Sequence, residues 1–309
     1  MYLRLASIVG ALFICCGELL AQSDSIIGEA GRNNFRSVNS AITALASDDD
    51  LSAGNYHFKN STSPDADVDL TKWDSEITIG DLNARFAPIV QLSPAYLELE
   101  QEYPDGTGQS DLAVDSWSFG AGVGIRMKFF DNALEITPRI KIEYSEVDFD
   151  FDISGFDHTL LNQIIPDVDA WSYIPSLEGV YRQKVREGDD AIILRSRLSY
   201  IYVDASTSNS NIDNFSDESW ILKNSVQYEH GVSLGGAINE LKLRPSISRV
   251  DMHGAARDGF EFNNFYEFGL NLISSEFLTQ YFREIGIGST YVYEQQVQGW
   301  RFGLFGKLY

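Results

Sequence analysis

The chain has 309 residues and a formal net charge of −22, set by 23 Lys and Arg against 45 Asp and Glu. That balance excludes a nucleic-acid binder, which needs a basic face. Both cysteines, Cys15 and Cys16, lie near the start, so the rest of the chain has no thiol chemistry, and no later stretch has 18 successive apolar residues, as a spanning helix would need.

Residues 1–21 read as a secretory signal peptide. Arg4 supplies the positive charge, Leu5 to Cys16 the apolar run, and Ala21 a small residue for cleavage. Glu18 interrupts the run, and Leu19 fits the other small-residue position poorly. A lipid anchor on Cys15 or Cys16 is the alternative, but the small residues expected before such a cysteine are missing.

Residues 22–50 form a separate N-terminal segment. Within it the spacing predicts an amphipathic helix over 34–47: Phe35, Val38, Ile42 and Leu45 fall on one face, with Ala41 and Ala44 beside them. Arg36, Asn39, Ser40 and Thr43 make the opposite face, and Asn33 or Asn34 caps the start. A helix placed just before the first strand suits a plug inside a barrel; a periplasmic tail helix is the alternative.

Residues 51–309 carry a strand pattern throughout. Its clearest stretch is Trp117 to Phe129, with Trp117, Phe119, Ala121, Val123, Ile125, Met127 and Phe129 alternating with small or charged residues. The apolar face is capped by aromatics and is as long as a tilted, bilayer-crossing strand. Alternation and turn residues predict twelve strands near 52–60, 73–83, 86–103, 111–129, 134–153, 170–186, 190–205, 217–230, 240–252, 260–274, 281–295 and 297–309. Tight turns such as Asp131-Asn132 alternate with long polar loops such as 154–170. The expected fold is all-β: a transmembrane, antiparallel, up-and-down barrel. A secreted soluble β protein also alternates, but its strands run to only about five or six residues.

Five tryptophans, Trp73, Trp117, Trp171, Trp220 and Trp300, each fall near the start of an even-numbered strand, which predicts an outer aromatic girdle. One strand breaks phase: Ile136, Ile140, Ile142 and Tyr144 are even, whereas Val147, Phe149, Phe151 and Ile153 are odd. That predicts a bulge near Ser145-Glu146, or exit from the membrane there.

The inward phase holds the charges: Arg126, Lys128, Arg139, Lys141, Arg182, Lys184, Arg195, Arg197, Lys223, Lys242, Arg244, Arg301 and Lys307, with Glu76, Glu98, Glu100, Glu102, Glu135, Glu143, Glu178, Glu229, Glu267 and Glu284. Such a mixed lumen predicts cross-barrel ion pairs or contacts to the helix, because unpaired buried charge is costly.

A signal peptide, a short helix, twelve strands and a terminal aromatic resemble the translocator domain of autotransporters. Only residues 22–33 separate signal from helix, which leaves no passenger, so the chain resembles the solitary outer-membrane autotransporter-like β-barrel family over residues 33–309. The resemblance rests on architecture. It implies a barrel with a lumenal helix and no known substrate. Lys307 departs from the aromatic or apolar residue usual two places before the terminal Tyr309. Asn33-Asn34 resembles the asparagine pair at which some autotransporters cut their own helix; simple capping is the alternative.

Enzyme patterns are weak. Asp251-x-His253 with Asp148/Asp150 resembles the Asp–His and Asp–Asp couples of omptin proteases, which activate water. None of His57, His158, His230 or His253 has the Ser two places away that an outer-membrane phospholipase uses. Asp148, Asp150 and Asp152 share a face that could take a divalent cation or form a solvated acidic rim.

The sequence therefore predicts a non-catalytic, cofactor-free barrel in the outer membrane of a Gram-negative bacterium, with a structural or transport role. A surface protease and a loop-based ligand- or phage-docking surface are the alternatives. Expected partners are outer-membrane lipid and lipopolysaccharide, and the barrel-assembly machinery through the C-terminal strand ending at Tyr309; a monomer is expected.

Overall fold

The computed structural model describes residues 43, 53–58, 66–81, 84–105, 108–152, 167–185, 190–208, 214–232, 241–260, 262–274 and 282–308. The signal segment, the Asn33-Asn34 pair and all of the 34–47 segment except Thr43 lie outside them. Thr43 is helical and buried. Among the described residues no helix is long and apolar enough to cross a membrane.

The strands are β1 (Ala53–Phe58), β2 (Ala66–Lys72), β3 (Ser75–Thr78), β4 (Phe86–Asp105), β5 (Gly108–Phe129), β6 (Leu134–Asp152), β7 (Val168–Lys184), β8 (Ala191–Thr207), β9 (Phe215–Val232), β10 (Leu241–Gly254), β11 (Asn264–Ser274), β12 (Phe282–Tyr293) and β13 (Val297–Leu308). One short helix, α1 (Ala255–Phe260), joins β10 to β11. All strands belong to one antiparallel sheet, closed into a barrel because β1 pairs with β13 and β2 pairs with both β1 and β4.

The second stave departs from its predicted bounds. It begins at Ala66 rather than at Trp73, and it is broken into β2 and β3, which pair with β4 on either side of Pro94. The break has a physical cause. Trp73 donates its amide to the Pro94 carbonyl at 3.0 Å, and proline has no N–H to complete the pair. With β2 and β3 as one stave, the barrel has the predicted twelve.

The expected bulge at Ser145-Glu146 is absent. β6 keeps one register with β5 and with β7 through that region, as in Ser118↔Ser145 and Ser145↔Ala170. The backbone phase is constant and the chemistry inverts. Ile140 and Ile142 point out, whereas Val147 points in and is 1% exposed. Beyond Tyr144 the outward positions are acidic, as at Asp148 and Asp150, and the apolar residues fall on the interior positions.

We call the end bearing 153–166 and α1 the loop end, and the end bearing 130–133 the turn end. Loop length alternates only in part: β4 and β5 are joined at the loop end by two residues, since Asp105 already opposes Gly108. At the turn end Phe130, Asp131 and Asn132 have φ of 51°, 54° and 69°. Asp131-Asn132 thus forms the left-handed corner that a tight hairpin requires.

Inside the loop end, every stave contributes to one apolar layer. Tyr56, Leu70, Leu97, Val114, Val147, Val168, Ile201, Phe215, Met252, Val292 and Val297 are all buried, with Phe265 of β11 packed against them. α1 folds across this mouth. Its Phe260 stacks on Phe58 of β1 with ring centroids 6.1 Å apart, and Phe262 follows at 5.4 Å. The Ala256 amide is held by the Ser219 hydroxyl at 2.9 Å.

Candidate functional site

The outer face is an apolar band with aromatic neighbours at its loop-end margin. Trp117 and Trp171 flank Tyr144 at 5.4 and 5.3 Å, Trp220 packs on Tyr200 at 4.7 Å, and Trp300 on Tyr291 at 5.0 Å. All five tryptophans point outward and are exposed. Trp73 differs in place: it sits at the break between β2 and β3, seven residues into its stave.

The lumen is layered. Under the apolar layer lies a tier of small residues. Ser93, Ser116, Ser118, Ser145 and Ser172 are at most 3% exposed, and none of their hydroxyls has a hydrogen-bond partner among the described residues. Lys141 and Glu143 pair here at 3.3 Å, both buried.

Toward the turn end the wall is charged, and three glutamates act as hubs. Glu178 of β7 is met by Arg139 at 3.3 Å, Arg195 at 2.6 Å and Arg197 at 2.7 Å. Glu229 of β9, fully buried, binds Arg182, Arg244 and, at 3.3 Å, Lys242. Glu267 of β11 takes Lys223 at 2.8 Å and Arg301 at 2.6 Å. Glu76 of β3 joins Arg126 and Arg139, the latter at 2.7 Å, and Arg126 also reaches Glu135 at 3.0 Å. These contacts cross several staves, so they tie the barrel wall across its circumference.

Glycine makes one of these links feasible. Gly124 opposes Arg139, and a Cβ at 124 would stand 2.7 Å from the Pro138 carbonyl oxygen and 2.8 Å from Arg139 Cγ. The bare backbone leaves Arg139 the room to reach both Glu76 and Glu178.

The structure puts the named lumen residues, Arg126, Lys128, Arg139, Lys141, Glu143, Glu178, Arg182, Arg195 and Arg197, on the interior phase. Glu98 and Glu100 are corrections: the buried residues of β4 are Ala87, Ile89, Gln91, Ser93, Ala95 and Leu97, so the even-numbered glutamates face out. The lumenal helix residues Phe35, Arg36, Val38, Asn39, Ile42 and Leu45 lie outside the described residues. Sequence reasoning missed the apolar layer; its signal was the odd-phase run Val147 and Phe149.

The protease pattern does not assemble. Asp148 and Asp150 face outward on β6, and Asp251 and His253 face outward on β10, with three staves between. Asp251 is engaged by Arg249 at 2.7 Å. Among the described residues no cluster of His, Cys, Asp or Glu could hold a metal. Burial first, and then the charges of Asp167, Glu146, Asp115 and Asp169, hold the Asp148 carboxyl above the ordinary range. At the turn end, hydrogen bonds from His230 and Tyr228 hold Asp190 below it.

A twelve-stave barrel with an apolar exterior and a charged interior wall has the fold of an outer-membrane β-barrel of the autotransporter translocator type. The model of the solitary outer membrane autotransporter beta-barrel domain matches residues 72–305, and the chain belongs to that family. Solved structures agree on the fold. The transport unit of the autotransporter AIDA-I from Escherichia coli superposes with a TM-score of 0.60 at 12% identity, covering 89% of this chain and 99% of that one. The translocator domain of NalP from Neisseria meningitidis gives 0.56 at 10%, covering 98% and 99%. The beta domain of the Bordetella autotransporter BrkA gives 0.51 at 11%, covering 81% and 96%. No curated protein matches the chain. Its place is the Gram-negative outer membrane.

Proposed function

We propose that this protein is a closed, structural outer-membrane barrel: a translocator fold that carries no open conduit and catalyses no reaction. The carrying observation is the lumen. Five serine hydroxyls without a partner among the described residues are shut off from water, which a wetted pore wall would not allow. The residues 34–47 are the occupant that fits, since Thr43 is helical and 2% exposed. Arg36, Asn39, Ser40 and Thr43 would offer partners to the serine tier. Above that occupant, the apolar layer under α1 forms a second block in series. Apolar side chains from every stave, packed together, exclude water, and ions do not cross a dry constriction.

The test is single-channel conductance in a planar bilayer, for the protein after signal removal and for a version lacking residues 22–48. The reading expects no steady conductance from the first and little from the second, because the strand-borne layer survives. A steady open channel in the first would sink the closed-barrel reading. A large channel in the second alone would leave the helix as the sole block.

A further inference from the structure

The lipid-facing wall carries one polar row. Gly179, Ser196, Asn224, Arg249 and Tyr266 stand opposite one another in register across β7, β8, β9, β10 and β11. Gly179, Ser196 and Asn224 are flanked along their own strands by outward apolar residues, Leu177 and Tyr181, Leu194 and Leu198, and Leu222 and Val226, while Arg249 and Tyr266 have Ile247 and Phe268 on their turn-end sides.

The row forms one side of a groove. Its other side is the next register row toward the turn end, Tyr181, Leu194, Val226 and Ile247, which is apolar, whereas Gly179 has no side chain and Ser196 a short one. The groove holds about 570 Å³ and runs obliquely over the five staves. Among the described residues the Ser196 and Asn224 side chains have no hydrogen-bond partner. In hydrocarbon there is no water to serve them, so an amide and a hydroxyl on this face call for polar groups from whatever covers it.

Arg249 closes the loop-end side of the row. It is half exposed, braced by Asp251 through two hydrogen bonds of 2.7 and 2.9 Å, and its guanidinium lies 5.9 Å from the Tyr266 ring centroid. A cation on the outer wall, directed toward the aromatic margin, is placed to meet an anionic headgroup.

We propose that this groove is a binding site for the lipid anchor of lipopolysaccharide. Its chemistry matches the groove in order. A phosphate reaches Arg249, amide and hydroxyl groups at the heads of the acyl chains meet Asn224 and Ser196, and an acyl chain lies along the apolar row of Tyr181, Leu194, Val226 and Ile247. The site requires the loop end to face outward and is independent of what fills the lumen.

The experiment is native mass spectrometry of the intact barrel in detergent with added lipid A, and separately with phosphatidylglycerol. The barrels compared are wild type, Asn224→Leu and Arg249→Gln, with folding checked by heat-modifiable mobility on gels. Leucine suits a lipid-facing position, so Asn224→Leu keeps the fold. The expected result is one retained lipid A per wild-type barrel and at least a tenfold drop in retention for each variant. Equal retention in the variants, or no retention in the wild type, overturns the site. Phosphatidylglycerol held as well as lipid A overturns the assignment to lipopolysaccharide. A dimer that Asn224→Leu disperses would make the row an interface between copies instead.

Discussion

The Trp73 amide donates to the Pro94 carbonyl at 3.0 Å, and Pro94 has no amide to return the bond. This one-sided contact divides the second stave. The neighbouring stave β1, six residues long, makes the described ladder with β13 over Val297–Arg301. Pro94→Ala supplies the missing donor. Amide exchange at Trp73 and Asp74 should slow in the variant, and β2 and β3 should protect as one unit. Unchanged exchange would show that proline does not cause the break.

The Glu178 hub sets the stability of the turn-end half. Glu178 is 4% exposed and answers three arginines. Glu178→Ala leaves buried guanidinium charge unmatched, at a cost of about 3 kcal/mol or more. Urea unfolding of the barrel in detergent should shift accordingly, whereas Glu98→Ala, on the outer wall, should change it by less than about 0.5 kcal/mol.

Gly254 is the hinge on which α1 turns into the mouth. Its φ is +78°, and a Cβ there would stand 2.2 Å from the Glu218 carbonyl oxygen. Gly254→Val combines backbone strain with that collision. The expected outcome is an unfolded barrel roof with the stave register intact: protease cuts at 255–262 that the wild type resists, at unchanged strand content by circular dichroism.

Asp148 gives the loop end a pH dependence. Its carboxyl titrates above the ordinary range, so the folded state binds the proton more readily than the unfolded chain. Ionised Asp148 therefore costs stability at neutral pH, and that cost is relieved as pH falls through its folded value. Asp148→Asn should stabilise the barrel at pH 7, by less than about 1 kcal/mol because the site is exposed and screened. The gain should vanish below about pH 4, where the unfolded carboxylate also protonates. A constant difference across pH would exclude the charge as its cause.

The legible parts of the molecule were those where one rule governs a whole stave. Trp117 to Phe129 keeps one solvent on each face, so alternation alone fixes its phase, and the lumen arginines follow. β6 was misread because it passes between two surroundings: Val147 is apolar for the interior and Ile142 for the lipid, and a period-two pattern records parity without saying what lies on each side. β2 was misplaced because Asp67 and Asp69 face water beyond the apolar band and lack the greasy repeat. The polar row of Ser196, Asn224 and Arg249 was invisible because each residue sits on a different strand, and only hydrogen-bond register lines them up.

The inversion along β6 also fixes how high the molecule rides. A stave that is greasy outside up to Tyr144 and greasy inside from Val147 can neither sink deeper nor rise without wetting apolar surface, so the chain carries its own waterline. Everything above that line is a small water-soluble turret with a packed heart, standing on a lipid-soluble base. The packed layer of that turret is built from the staves themselves, so the turret holds its shape whatever the thickness of the bilayer beneath it.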